Sequence, residues 1–65
     1  MITSNVRKMM ENKRISVRSM VVGAGLSDKT ILRARCSRIN ECRVYTLEAI
    51  AEYLGCKVKD LFEED

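Results

Sequence analysis

The sequence has no histidine, no proline and no tryptophan. Without histidine there is no residue to complete a usual zinc set and no ready general base near neutral pH. The lack of proline, with only three glycines, favours helices over a sheet with many turns. Aromatic residues make up 5% of the chain, too few for an RNA-binding sheet that stacks bases on exposed rings. No apolar run approaches the roughly 20 residues that span a bilayer, and the amino terminus lacks the apolar core of a signal peptide. No GxGxxG or P-loop is present to cradle a phosphate, and no internal repeat is visible. The three cysteines, Cys36, Cys42 and Cys56, are odd in number and form no CxxC. That pattern points to reduced thiols in a cytoplasmic protein, with no metal site and no cofactor. Cys36 or Cys42 beside arginines could have a lowered pKa, but the plain reading is a thiol in or near the core. The chain is therefore not expected to be an enzyme.

What is present is compact and charged. The 65 residues are 46% apolar and 32% charged, which suits a single globular domain over 1–65, near the lower size limit for unaided folding. From Met1 to Arg43 there are ten Lys or Arg against three acids, a net +7. From Val44 to Asp65 there are two bases against six acids, a net −4, which together make the +3 of the whole chain. A positive front and a negative back would orient the molecule on a polyanion.

The stretch from Ser16 to Arg35 organises the rest. Val17, Met20, Val21 and Ala24 follow the i, i+3, i+4, i+7 spacing of one buried helix face. Ser16 is placed to cap that helix, and Gly25 to end it with positive φ. Gly23 inside the helix is unfavourable by about 1 kcal/mol relative to alanine, and close approach of another backbone is one explanation. Ser27 then caps a helix to about Cys36, burying Ile31 and Ala34. Asp28, Lys29, Leu32, Arg33 and Arg35 face elsewhere. Two short helices across a glycine turn, the second with a basic outer face, are the layout of a DNA-reading helix-turn-helix with its core at 16–36. Two roles are open for Leu32: contact with a thymine methyl, or packing beneath the following loop, which is favoured.

The flanking segments complete a small helical domain. Met1 to Thr3 reads as a frayed arm or lead-in. Ser4 or Asn5 caps a first helix to about Lys13, with Val6, Met9 and Met10 inside and Ile15 closing its turn. Ser37 to Tyr45 reads as a linker whose Arg38 and Arg43 can grip a sugar-phosphate backbone or enter a minor groove and read its width. Thr46 reads as the cap of a fourth helix that buries Leu47, Ile50, Ala51 and Leu54 and ends at Gly55. A last short helix holds Val58, Leu61 and Phe62, followed by the acids Glu63, Glu64 and Asp65.

Three stretches carry a family resemblance: Val6, Met9 and Met10; the run ISVRSMVVGAGLSDKTI; and TLEAIAEYLGCKVKDLFEED. The last is the most specific, with Thr46, Leu47, Ile50, Ala51, Leu54, Gly55, Asp60, Leu61 and Phe62 in a TLxxIAxxLGxxxxDLF-like pattern. Together they resemble the lambda-Cro/C1-type, or XRE-type, helix-turn-helix regulators of bacteria and phages, in a compact stand-alone form. The resemblance implies an all-α fold of five helices and binding to double-stranded DNA. By position it places base readers at Asp28, Lys29 and Arg33, with Thr30 and Leu32 nearby. It places phosphate contacts at Val17, Arg18, Ser27, Arg38 and Arg43. Some positions differ from the family pattern. Val17 stands where a phosphate-clamping glutamine is common, so only its backbone N–H is available. Met10 and Arg35 stand where an arginine–glutamate ion pair is common. Gly23 and Ala24 replace a Lys-Leu pair, and Lys57 replaces a capping serine.

The expected function is a sequence-specific DNA-binding transcriptional regulator of bacterial, phage or mobile-element origin, acting as a repressor with its third helix in the major groove. A module this small needs two half-sites for useful specificity, which predicts a homodimer with Val44, Tyr45, Leu61 and Phe62 near the interface. No membrane association or small-molecule ligand is expected. The alternative is an antitoxin or other protein-interaction module on the same fold.

Overall fold

The structure is a computed structural model describing residues 2–64. Its elements run β1 (Ile2–Ser4), α1 (Val6–Asn12), α2 (Val17–Ala24), α3 (Asp28–Ala34), a 3-10 turn (Ser37–Glu41), α4 (Val44–Leu54), a second 3-10 turn (Val58–Leu61) and β2 (Phe62–Glu64). The all-helical expectation holds for the body of the domain, but the described residues contain four α-helices rather than five. The expected fifth helix is one 3-10 turn. Phe62 leaves it to enter β2.

Of the stretch expected to be a frayed arm or lead-in, Ile2 and Thr3 are instead paired in a strand, and Met1 lies outside the described residues. Ile2, Thr3 and Ser4 pair antiparallel with Glu64, Glu63 and Phe62. The ribbon is short, but three further contacts lock it. The Asn5 N–H donates to the Leu61 carbonyl at 2.8 Å, and Asn5 Nδ2 to the Asp60 carbonyl at 3.1 Å. Lys8 Nζ reaches both carboxylate oxygens of Glu63, at 3.0 and 3.1 Å. Asn5 occupies the cap position of α1 but makes no side-chain capping bond. The Ser4 hydroxyl does that work, accepting from the Val6 N–H at 3.1 Å. It also donates to the Ala34 carbonyl at the end of α3, a group no intrahelical N–H can satisfy.

The helix ends follow local chemistry. Ser16 Oγ accepts from the Ser19 N–H at 3.0 Å, and Ser27 Oγ from the Thr30 N–H at 3.2 Å. Gly25 and Gly55 close α2 and α4 at φ 71° and 74°, as expected. α1 ends differently. Arg14 takes φ 56°, and paired bonds run from its N–H to the Glu11 carbonyl and from the Ile15 N–H to the Met10 carbonyl. This is a Schellman motif with arginine where glycine is usual. Thr46 is not the cap of α4. That helix begins at Val44 after Arg43, whose carbonyl accepts from the N–H groups of Thr46 and Leu47, and Thr46 is drawn inside at 5% exposure. At the second 3-10 turn Lys57 cannot accept through its ammonium. The Asp60 carboxylate reaches back to the Lys57 N–H at 3.1 Å in compensation.

The core draws on every helix: Val6, Met10, Met20, Ile31, Ala34, Ile39, Leu47, Ile50, Ala51, Leu54 and Leu61. On α2 only Met20 is fully buried. Val17, Val21 and Ala24 pack half-buried at the edge. Ile39 is the largest departure from expectation, because it lies in the presumed linker yet is fully buried. It roots the 3-10 turn in the core, so residues 37–41 are an element and not a loose connection. Leu61 is likewise fully buried, which removes it from the exposed interface candidates. Phe62 is half-buried, while Val44 and Tyr45 stay well exposed.

Gly23 is explained by a side chain rather than by a backbone. A Cβ built there would lie 2.0 Å from Cε1 of Tyr53, whose ring crosses from α4 over α2. The ring occupies the space over the small Gly23–Ala24 pair. Met10, where the family pattern often has an arginine, is 2% exposed in the core.

Candidate nucleic-acid interface

Each segment of the candidate site is held by a different local device. Ser27 starts α3. Its hydroxyl also pairs with the Thr30 hydroxyl at 2.8 Å, so both groups are engaged in the cap. Asp28 opens the first turn, where a carboxylate suits the positive helix end. Its Oδ1 accepts from the Lys29 N–H at 2.8 Å. Lys29 is exposed one residue later. Arg33 follows at i+4 on the same side of the helix.

The structure brings the α3 cations together with the 3-10 turn. Lys29, Leu32, Arg33, Cys36 and Arg38 line one shallow open depression. Arg33 is half-buried, and its Nε is enclosed without an acceptor among the described residues. Its stem is thus packed down along α3 while the residue lines the depression. Arg38 is exposed and forked onto Glu41, with Nε–Oε2 at 3.2 Å and Nη2–Oε1 at 3.1 Å. Those hydrogen bonds hold the Glu41 carboxyl below its ordinary value and raise the Arg38 guanidinium. In the free protein this cation is partly neutralised.

Leu32 does not pack beneath the following loop. It is 51% exposed, and the loop's apolar anchor is Ile39 instead. Arg18 lies on a second groove with Ser16, Ser19, Val22, Gly23 and Tyr53, apart from the depression on α3. Val17 is the first residue of α2, and its side chain packs against the core, which leaves its backbone facing the helix entrance. Arg43 is exposed at the start of α4.

Opposite charges are compensated unevenly. Among the described residues the ion pairs are Arg7–Glu11, Lys8–Glu63 and Arg38–Glu41. Arg18, Lys29, Arg33 and Arg43 have no such partner among the described residues. The cations left unpaired therefore include those of α3 and its flanks, a distribution that total charge does not reveal.

Burial pushes the Cys42 thiol up, in line with the plain reading of a thiol near the core and not with a pKa lowered by its arginine neighbours. Cys56 is also raised by burial. All three thiols are free, and among the described residues no group of three or more Cys, Asp or Glu is placed to hold a metal. No helix among them is long and apolar enough to cross a membrane.

The family model for the Cro/C1-type HTH DNA-binding domain matches residues 5–64. No curated protein matches the chain.

Proposed function

Because the chain belongs to the Cro/C1-type helix-turn-helix DNA-binding domain family, we propose that it is a sequence-specific transcriptional regulator of bacterial, phage or mobile-element origin that reads the major groove with α3 and acts as a repressor. The observation that carries this reading is the depression lined by Lys29, Leu32, Arg33 and Arg38, with Lys29 and Arg33 in no ion pair among the described residues.

In this reading Arg33 and Lys29 donate to guanine O6 and N7. Asp28 accepts from a cytosine amino group, or holds the Lys29 amide in place. Thr30 contacts a base edge beside its bond to Ser27. The backbone N–H of Val17, with Arg18, Ser27, Arg38 and Arg43, grips phosphates on either side. The exposed Val44 and Tyr45 (67% and 63%) support a homodimer across two half-sites. Repression follows from occupying DNA that polymerase needs.

Selection of bound duplexes from a random pool, followed by quantitative binding, tests this. Arg33→Ala is expected to cost about 1–3 kcal/mol at one position and to relax the preference there. Arg43→Ala is expected to weaken all sequences alike and to flatten the salt dependence. Uniform weakening by Arg33→Ala would remove it from the base readers. Affinity that ignores salt, or no affinity for any duplex, would overturn the proposal.

A further inference from the structure

Leu32 is an apolar side chain set among cations. It is 51% exposed, and it shares its depression with Lys29, Arg33 and Arg38. Its neighbour Ile31 is fully buried, so the helix does not need Leu32 for its own packing. The loop that might have covered it is anchored elsewhere, by Ile39. On a groove-binding helix, a leucine set between two cations is placed to meet whatever apolar group the polyanion offers beside its acceptors. The edges of the bases in the major groove offer one at a single place: the C5-methyl group of a pyrimidine.

We infer that Leu32 reads a pyrimidine C5-methyl, so that this face discriminates by apolar contact beside the hydrogen bonds of its cations. Ordinary DNA supplies that methyl as thymine, and modified DNA as 5-methylcytosine. The inference rests on the reading of α3 as the groove-binding helix. It adds a residue whose role is specificity, because Leu32 has no charge with which to hold a phosphate. Lys29 lies one helical turn before it and Arg33 immediately after. The methyl-bearing base should therefore sit beside the base pairs those two cations contact.

The test starts from a duplex selected from an unmodified random pool. Each thymine is replaced in turn by deoxyuridine, which removes only the methyl group, and each cytosine by 5-methylcytosine, which adds one. Binding is measured with the intact chain and with Leu32→Ala, whose fold is checked by circular dichroism and thermal unfolding. The expected result is a loss of about three- to fivefold at one deoxyuridine position, the change that burying one methyl group produces. Leu32→Ala should bind the thymine and deoxyuridine duplexes equally. A gain at one 5-methylcytosine with no loss at any deoxyuridine would assign the methylated base instead, provided Leu32→Ala abolishes it. Indifference to every replacement, with tight binding intact, would overturn the inference and leave DNA binding standing. A deoxyuridine loss that persists in Leu32→Ala would also overturn it, by giving the methyl to another side chain. No binding to any duplex would remove the groove-reading premise and the inference with it.

Discussion

Around the terminal ribbon the polar side chains are bonded within the chain: Ser4 to Ala34, Asn5 to Asp60, Lys8 to Glu63. Along α3 and its flanks the cations Lys29, Arg33 and Arg43 have no ion-pair partner among the described residues. Both regions carry cations, so the presence of basic side chains alone does not distinguish them. Where the acids fall does. Glu63 lies on the strand that pairs beside α1, and so it meets Lys8 and not Lys29. Groups satisfied internally contribute to stability, whereas groups left open can contribute only through a partner. The two regions should therefore respond to different measurements.

The most disruptive test removes the anchor beneath the basic face. Ile39→Ala should cost about 2–5 kcal/mol in chemical denaturation, as for other fully buried isoleucines. That is a large share of the stability of a domain this small. A loss under about 1 kcal/mol would mean that the 3-10 turn is not held by this side chain. Next, Ser4→Ala removes a group that serves both the Val6 N–H and the Ala34 carbonyl. It should cost about 1–2 kcal/mol, with DNA affinity per folded molecule unchanged. If affinity fell with stability restored by low temperature, the closure and the reading face would be coupled and the contrast between them weakened.

The smallest effect is the most diagnostic. Glu41→Gln releases Arg38 at the edge of the depression. Both partners are exposed, so the unfolding midpoint should not move measurably. The slope of log affinity against log salt should steepen by about 0.9, the value for one more phosphate contact. Acidification should act in the same direction. Arg38 depresses the Glu41 carboxyl, so the pair's contribution is present above the ordinary carboxylate value and is lost as pH falls through the lowered one. An unchanged slope in Glu41→Gln would remove Arg38 from the phosphate contacts.

The parts of this arrangement legible in sequence are those fixed by near neighbours. Ser16, Ser27, Gly25 and Gly55 act within three or four residues of themselves, and each sits where the sequence implied. The stripe Leu47, Ile50, Ala51 and Leu54 is equally local and is buried throughout. What escaped is what depends on distant partners. A lone isoleucine in a polar run gives no periodicity, so Ile39 read as part of a linker. The burial of Thr46 depends on packing that its capping propensity does not report. Three residues at each end are too few to show strand alternation, and their pairing spans almost the whole chain. Gly23 was legible as an anomaly, but its cause, the ring of Tyr53, lies thirty positions on. At the candidate site, residue types were readable and their states were not. That Arg38 is held by Glu41, or that Leu32 stands in the open, follows from how the 3-10 turn folds back against α3.

The antiparallel pairing of residues 2–4 with 62–64 has a consequence for how the domain is made. These are the most non-local contacts in the fold, and the Ser4 bond to Ala34 joins the same ribbon to the end of α3. Local contacts let α1 to α4 gather around Ile50 before the two strands of the ribbon meet. Asn5 and Lys8 then have no partners, and Leu61 has not yet filled its place in the core. Closure of the ribbon is the contact with the longest loop to close, and it brings the acidic residues of 60–64 against a helical body that carries the basic face.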